Sequence, residues 1–191
     1  MKKFTLFTIF IFSLLSTNLY AHPHIFIDAD LSFEIKNDSL HSINIRWKWD
    51  KWFSLEILDY CDSNKNNNLE PEEVNKVFED FFIGIKDFDY FTQIEFNNKK
   101  SIIHEVLNFN AYTLQKSSNE IYVTYEFSIP INLKISDDIL NFKIKKYDET
   151  IFTAFENATL KITSNDYELS DIKNITYKFC GKQLSGRLKK K

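Results

Sequence analysis

The chain has 191 residues, with 24 Lys and Arg against 27 Asp and Glu. This acidic balance argues against nucleic acid as a partner and makes the Lys189-Lys190-Lys191 end a solvated tail rather than a binding patch. With 43% hydrophobic and 16% aromatic residues, and only three Gly and three Pro, a packed core is available and low complexity is excluded.

Met1-Lys2-Lys3 precedes an apolar run of about ten residues ending at Leu15, short of the roughly 20 that cross a bilayer as a helix. The polar Ser16-Thr17-Asn18 and the stretch Leu19-Tyr20-Ala21 follow. This pattern predicts a signal peptide over 1–21, cleavage after Ala21, and an exported, periplasmic domain over 22–191. Leu19 is larger than the residue usual at that place, and an uncleaved anchor is the alternative. Loss of Lys2 and Lys3 leaves 22 basic against 27 acidic side chains, a formal −5. Cys61 and Cys180 are the two cysteines; an oxidising compartment makes them a candidate disulfide. Neither belongs to a Cys-x-x-Cys motif.

From Ile25 to Ile35 apolar residues alternate with His24, Phe26, Asp28, Asp30, Ser32 and Glu34, the pattern of a half-buried strand. Asn37-Asp38 turns the chain. A second strand carries Ile43, Ile45, Trp47 and Trp49 on its buried face. The period then lengthens: Phe53, Ile57 and Cys61 recur four apart, predicting a helix over about 50–61. Pro71, Glu72 and Glu73 suit a helix start, and Val74, Val77, Phe78, Phe81, Phe82 and Ile85 form its stripe. Further strands are predicted at 91–97, 102–114, 121–131, 140–146, 158–163 and 172–179. The expectation is an α+β chain: mainly an antiparallel β-sandwich of about eight strands, with an EF-hand-like helix–loop–helix inserted at about 50–86.

Asp62-Ser63-Asn64-Lys65-Asn66-Asn67-Asn68-Leu69-Glu70-Pro71-Glu72-Glu73 matches the twelve-residue calcium loop. Asp62, Asn64 and Asn66 stand at its first, third and fifth positions. Asn68 offers a carbonyl, Glu70 a carboxylate with or without an intervening water, and Glu73 the closing bidentate carboxylate. Asn67 replaces the usual sixth-position Gly, and asparagine tolerates the left-handed backbone required there. Three carboxylates and two amides predict Ca2+ affinity on the order of 0.1–1 mM and a structural role. A plain Asn-rich connecting loop is the alternative.

Cleavage after Ala21 leaves His22-Pro23-His24 at the terminus, where the free amine and two imidazoles suit Zn2+, Ni2+ or copper. Pro23 lacks the N–H that a square-planar terminal site with a third-position histidine uses. Asp28 and Asp30 share the strand face of His24, but Asp28 lies about 6.6 Å per two-residue step further along the strand, which suits an outer or surface role. His41 and His104 are either completing ligands or ordinary histidines. No paired carboxylates, nucleophile motif or phosphate loop suggests an enzyme; a copper enzyme built on His22 is the catalytic alternative.

His22-Pro23-His24-Ile25-Phe26-Ile27-Asp28, the aromatic stretch Trp47–Phe53, the loop Asp62–Glu73 and Phe88-Asp89-Tyr90-Phe91-Thr92 occur in the order found in the periplasmic family catalogued as domain of unknown function one thousand and seven. The chain resembles that family over essentially its whole mature length. Tyr147-Asp148-Glu149-Thr150-Ile151-Phe152 looks like the family's Asp-Pro-Thr-aromatic segment, with Glu149 where proline is usual. The resemblance implies a periplasmic accessory of transition-metal transport (zinc or nickel/cobalt), with an inner-membrane metal permease as partner. His22 and His24 would be its ligands, and calcium would sit in the shared loop. A calcium-stabilised interaction domain without metal delivery is the competing reading.

Overall fold

A computed structural model describes residues 25–116, 120–136 and 139–191. The leader expected over 1–21 and the metal candidates His22 and His24 lie outside them. The described residues form two five-stranded sheets, with orders β5-β6-β2-β1-β8 and β4-β3-β7-β10-β9. The first sheet comprises β1 (Ile25–Lys36), β2 (Ser39–Trp49), β5 (Leu107–Lys116), β6 (Glu120–Lys134) and β8 (Thr153–Ile162). The second comprises β3 (Thr92–Phe96), β4 (Lys99–Ser101), β7 (Ile139–Lys146), β9 (Tyr167–Tyr177) and β10 (Gly181–Lys190).

Alternation decides which side of each strand faces inward. Ile27, Ala29, Leu31 and Phe33 of β1 are buried, as are Ile43, Ile45, Trp47 and Trp49 of β2. The first two strands therefore lie as the sequence predicts. The expectation of about eight antiparallel strands needs correction in three places. β8 leaves the second sheet and returns beside β1 in parallel register, Ile25 opposite Thr153 and Phe33 opposite Ile162. The predicted strand over 102–114 coincides only with β5, from Leu107 on; residues 102–106 form no strand, and the short β4 lies before them. β10 is an additional strand: between lysines at its two ends it holds a buried spine of Leu184 and Leu188, and Gly186 bulges where any Cβ would meet Ser170 O and Phe142.

Between β2 and β3 come helix α1 (Lys51–Cys61), helix α2 (Pro71–Val77), a π-helical turn (Phe78–Phe82) and a 3-10 stretch (Ile83–Phe91). The predicted apolar stripe packs as expected, with Val77 and Phe82 fully buried and Val74, Phe78, Phe81 and Ile85 against the core. Phe82 reaches Phe109 at 4.4 Å and Phe127 at 5.0 Å between ring centres, so the insertion closes the sandwich rather than hanging from it.

The core also holds a lysine. Leu140, Phe142 and Ile144 alternate inward along β7, and the same period carries Lys146 inward, where it is completely buried. Its Nζ donates to Thr92 Oγ1 and, at 3.4 Å, to the Tyr90 carbonyl. It sits 4.4 Å from the centre of the Trp47 ring and 5.3 Å from that of Phe155. These acceptors and π faces accommodate an ammonium group, but burial holds the amine well below the usual lysine range.

The folded state thus sheds this proton before the unfolded chain does, whose lysines titrate near about 10.4. The contribution to stability is complete above the unfolded value and is lost as pH falls through the folded one. Urea midpoints measured from neutral pH toward about pH 10 should therefore rise more in the parent than in Lys146→Met. Parallel slopes in the two proteins would contradict it.

Candidate functional site

Two groups of residues singled out in the sequence meet at opposite ends of α1. At its start, Asp50 caps the helix: Oδ1 accepts from Trp52 N at 2.8 Å and Phe53 N at 3.0 Å. Its Oδ2 accepts from Phe26 N at 2.7 Å, and its own N–H donates to Phe26 O at 2.9 Å. One carboxylate therefore joins the first residues of β1 to the first turn of α1. Ile25 N donates to Phe152 O at 3.3 Å, so the chain emerging from His24 enters the fold between β8 and this cap. Sequence reasoning missed Asp50, although an Asp directly before a helical period is a capping signal.

At the other end, Asp62 closes α1 and opens the twelve-residue loop. Asp62 and Glu73 are buried to 5% and 7% exposure, while Asn64, Asn66, Asn67 and Asn68 are exposed. The loop is wound by side chains receiving its own N–H groups. Asp62 Oδ1 accepts from Asn66 N at 3.2 Å, and Oδ2 accepts from Asn67 N at 2.8 Å. Asn64 Oδ1 accepts from Asn66 N at 3.0 Å, and Asn66 Oδ1 from Asn68 N at 2.7 Å. Glu73 accepts from Ser63 N at 2.7 Å and Glu70 N at 3.1 Å, tying the loop's ends together.

Lys65 and Asn67 take φ of 57° and 63°, so Asn67 adopts the left-handed conformation its position was predicted to need. The amides of Asn64 and Asn66 donate to the Glu70 carboxylate at 3.2 and 2.6 Å. Hydrogen bonding with Glu73, then with Asn66, holds the Glu70 carboxyl below its ordinary range. Thr113 Oγ1 donates to Asn67 O at 2.8 Å, fixing the loop to β5.

Every polar donor set here is oxygen, the chemistry that selects a hard cation such as calcium over zinc. Counting His, Cys, Asp and Glu alone, no group of three among the described residues is placed to hold a metal. Calcium in this loop would therefore need the asparagine oxygens and the Asn68 carbonyl as well as Asp62, Glu70 and Glu73.

The remaining candidates separate. Asp28 is engaged by Lys48 and by Asn157 Nδ2 at 2.6 Å. Asp30 binds Arg46 Nη2 at 2.6 Å and Thr159 Oγ1 at 2.5 Å. Both are cross-strand ties on the outer face of the first sheet, in keeping with a surface role. His41 is exposed on β2 and His104 is exposed between β4 and β5. The candidate disulfide is not formed: Cys61 and Cys180 are both buried free thiols. Cys61 packs at the end of α1, whereas Cys180 lies in the turn before β10 and gives its carbonyl to Phe155 N. Burial raises both thiols above the usual range, so neither is activated as a thiolate.

A family model described as Protein of unknown function (DUF1007) matches residues 7–174. No curated protein matches the chain.

The cap makes a direct prediction. Asp50→Ala removes two N-terminal helix bonds and the bond to Phe26, so unfolding free energy from urea titration should fall by about 1–3 kcal/mol. A loss below a few tenths of a kcal/mol would show that the tie between β1 and α1 is dispensable.

Proposed function

The chain belongs to the DUF1007 family, and we propose that it is a non-catalytic periplasmic accessory of a transition-metal transport system with a structural calcium site in its EF-hand-like loop. Zn2+ or Ni2+ is the cargo in this reading, held by His22 and His24 and passed to an inner-membrane metal permease. The observation that carries the calcium part is the winding of Asp62–Glu73. Two buried carboxylates at its ends, left-handed Asn67 and a series of side-chain oxygens that accept the loop's own N–H groups suit a small hard cation.

Support for the cargo part is positional. The segment His22-Pro23-His24 leads directly into Ile25 and Phe26, which backbone bonds and the Asp50 carboxylate hold against Phe152 and α1. The loop and this entry point are the two ends of an eleven-residue helix, about 16 Å apart by helical rise. Calcium would thus brace the helix that anchors the cargo-binding end, without sharing ligands with it.

A second reading, a calcium-stabilised interaction domain without delivery, is favoured by the outward face of α1. Trp52 is 78% exposed there, with Leu55 at 43% and Tyr60 at 56%.

Calorimetry on the chain from His22 distinguishes the two. Delivery requires that His22→Ala with His24→Ala weaken Zn2+ or Ni2+ binding on the order of tenfold or more, since two imidazoles are lost. Unchanged binding leaves only the interaction-domain reading. Separately, Ca2+ at about 100 times its dissociation constant should stabilise the parent by about 2.7 kcal/mol, seen as a higher melting temperature. Glu73→Gln should abolish that rise; a parent indifferent to Ca2+ defeats the calcium reading.

A further inference from the structure

The strand registers define one end of the sandwich. β1 begins at Ile25 opposite Thr153, the start of β8, and β2 ends at Trp49 opposite Ile27. In the second sheet, Thr92 of β3 and Lys182 of β10 both pair with Lys146, the end of β7. β9 ends there too, with Tyr177 opposite Gly181. The turn 147–152 and the bond from Phe155 N to Cys180 O at 2.8 Å join the two sheets at this end.

Exposed apolar side chains stand on separate loops here. Trp52 opens α1, Phe88 precedes β3, and Ile151 lies in the turn from β7 to β8. Phe179, 61% exposed, lies in the turn from β9 to β10. Two of these tips sit on costly backbone: Ile151 takes φ of 64°, and Lys178, next to Phe179, takes 51°. A β-branched residue is rare in that left-handed region. The buried Asp148 carboxylate maintains the turn, accepting from Thr150 N at 2.8 Å, Thr150 Oγ1 at 2.7 Å and Thr153 N at 2.9 Å.

A lysine accompanies each aromatic tip: Lys51 before Trp52, Lys86 near Phe88 and Lys178 before Phe179. Asp87, Asp89 and Glu149 offset them, so charge does not select the partner. A protein that docks on apolar surface meets a contiguous patch, whereas these tips stand on separate loops. Aromatic rings beside long lysine stems suit the headgroup level of a bilayer, where one end of the side chain is apolar and the other wet. Position favours the bilayer as well. The chain ahead of Ile25 joins the fold at this end, and its apolar run up to Leu15 is the segment expected to meet the inner membrane during export. The mature residues of this end that lie outside the described ones are His22-Pro23-His24 and Ser117-Ser118-Asn119. They add no carboxylate and no lysine, and three residues extend only about 10 Å, too little to cover four loops.

We propose that this end is a membrane-docking surface. Trp52, Phe88, Ile151 and Phe179 enter the headgroup region of a phospholipid bilayer and hold the N-terminal segment against it. The contact needs no metal, so it stands apart from the metal-accessory reading, and its failure leaves that reading untouched.

The chain from His22 is sedimented with vesicles of phosphatidylethanolamine and phosphatidylglycerol, and with neutral phosphatidylcholine vesicles. Of the three tryptophans, Trp47 and Trp49 are buried, so a change in emission reports on Trp52. Binding to both kinds of vesicle is expected, little altered by salt, with Trp52 emission shifted to the blue and quenched by brominated acyl chains. Trp52→Ser with Phe179→Ser should weaken binding on the order of tenfold or more, with the circular dichroism spectrum of the parent. Phe88→Ser, which keeps the reporter, should reduce the blue shift. Ile139→Ser, at an exposed site on the opposite end where β7 begins, should bind as the parent does. The proposal is overturned if the parent stays in solution, binds without a change in Trp52 emission, or is matched by the double variant. Loss of binding in Ile139→Ser equal to that in the double variant would also overturn it, as would binding confined to anionic vesicles and abolished by salt. Retention by native inner-membrane vesicles but not by pure lipid would overturn it in favour of a membrane-protein partner.

Discussion

The two sheets and the insertion between them are held in one body by what surrounds Trp47. Its indole lies edge-on to Phe127 at 5.0 Å and to Phe155 at 6.0 Å, both within its own sheet. It stacks on Phe91 at 6.1 Å and approaches Phe82 at 6.3 Å, both from the insertion. From the opposite sheet comes the Lys146 amine, over the same ring. Offset and edge-to-face aromatic pairs contribute roughly 0.5–1.5 kcal/mol each beyond the area they bury. A substitution at Trp47 would therefore loosen three structural units at once.

This arrangement also accounts for a costly piece of backbone. Asp89, Tyr90 and Phe91 follow one another at φ of 52°, 50° and 48°, a conformation that costs non-glycine residues roughly 1–2 kcal/mol each. The turn is retained because its groups are all used. Phe91 stacks on Trp47, Tyr90 is buried beside Phe82, and Thr92 Oγ1 donates to Tyr90 O at 2.7 Å. Phe91 O accepts from Tyr147 N at 3.0 Å, and the adjacent Lys146 amine reaches Tyr90 O. The segment Phe88–Thr92 and the segment around Tyr147, which stood out separately in the sequence, are thus two sides of one buried contact.

Local periodicity made some of this legible and long-range pairing hid the rest. The alternation from Ile25 to Ile35, and again from Ile43 to Trp49, marked the buried faces of β1 and β2. The change to a four-residue recurrence placed α1, and the oxygen-bearing run between two apolar helical patterns marked the loop. The parallel partnership of β1 and β8 left no such trace, because it joins segments more than a hundred residues apart with no turn between them. β10 escaped because Lys182, Lys189 and Lys190 crowd its ends and leave only two buried leucines, Leu184 and Leu188, to mark it. Lys146 was within reach: continuing the inward parity of Leu140, Phe142 and Ile144 by two residues lands on it. Residue type, which says that lysine belongs outside, prevailed over position. Asp50 was similarly visible as a cap, but not as the link to Phe26, which depends on how β1 begins.

The loop's wiring bears on what kind of calcium site the chain would have. A sensor loop must rearrange on binding, so that its helices move and a groove opens. Here Glu73 is already drawn across to Ser63 N and Glu70 N, Asp62 already holds the N–H groups of Asn66 and Asn67, and Thr113 fastens the far side to β5. α2 runs straight into a π-turn whose Phe82 is locked in the core. Rotation of α2 would pull that ring from between Phe109 and Phe127, and a cation of modest affinity does not supply the free energy to do so. Calcium in this setting would tighten an existing geometry. Its effect would pass along α1 as rigidity, toward Asp50 and the start of β1, rather than as a change of shape.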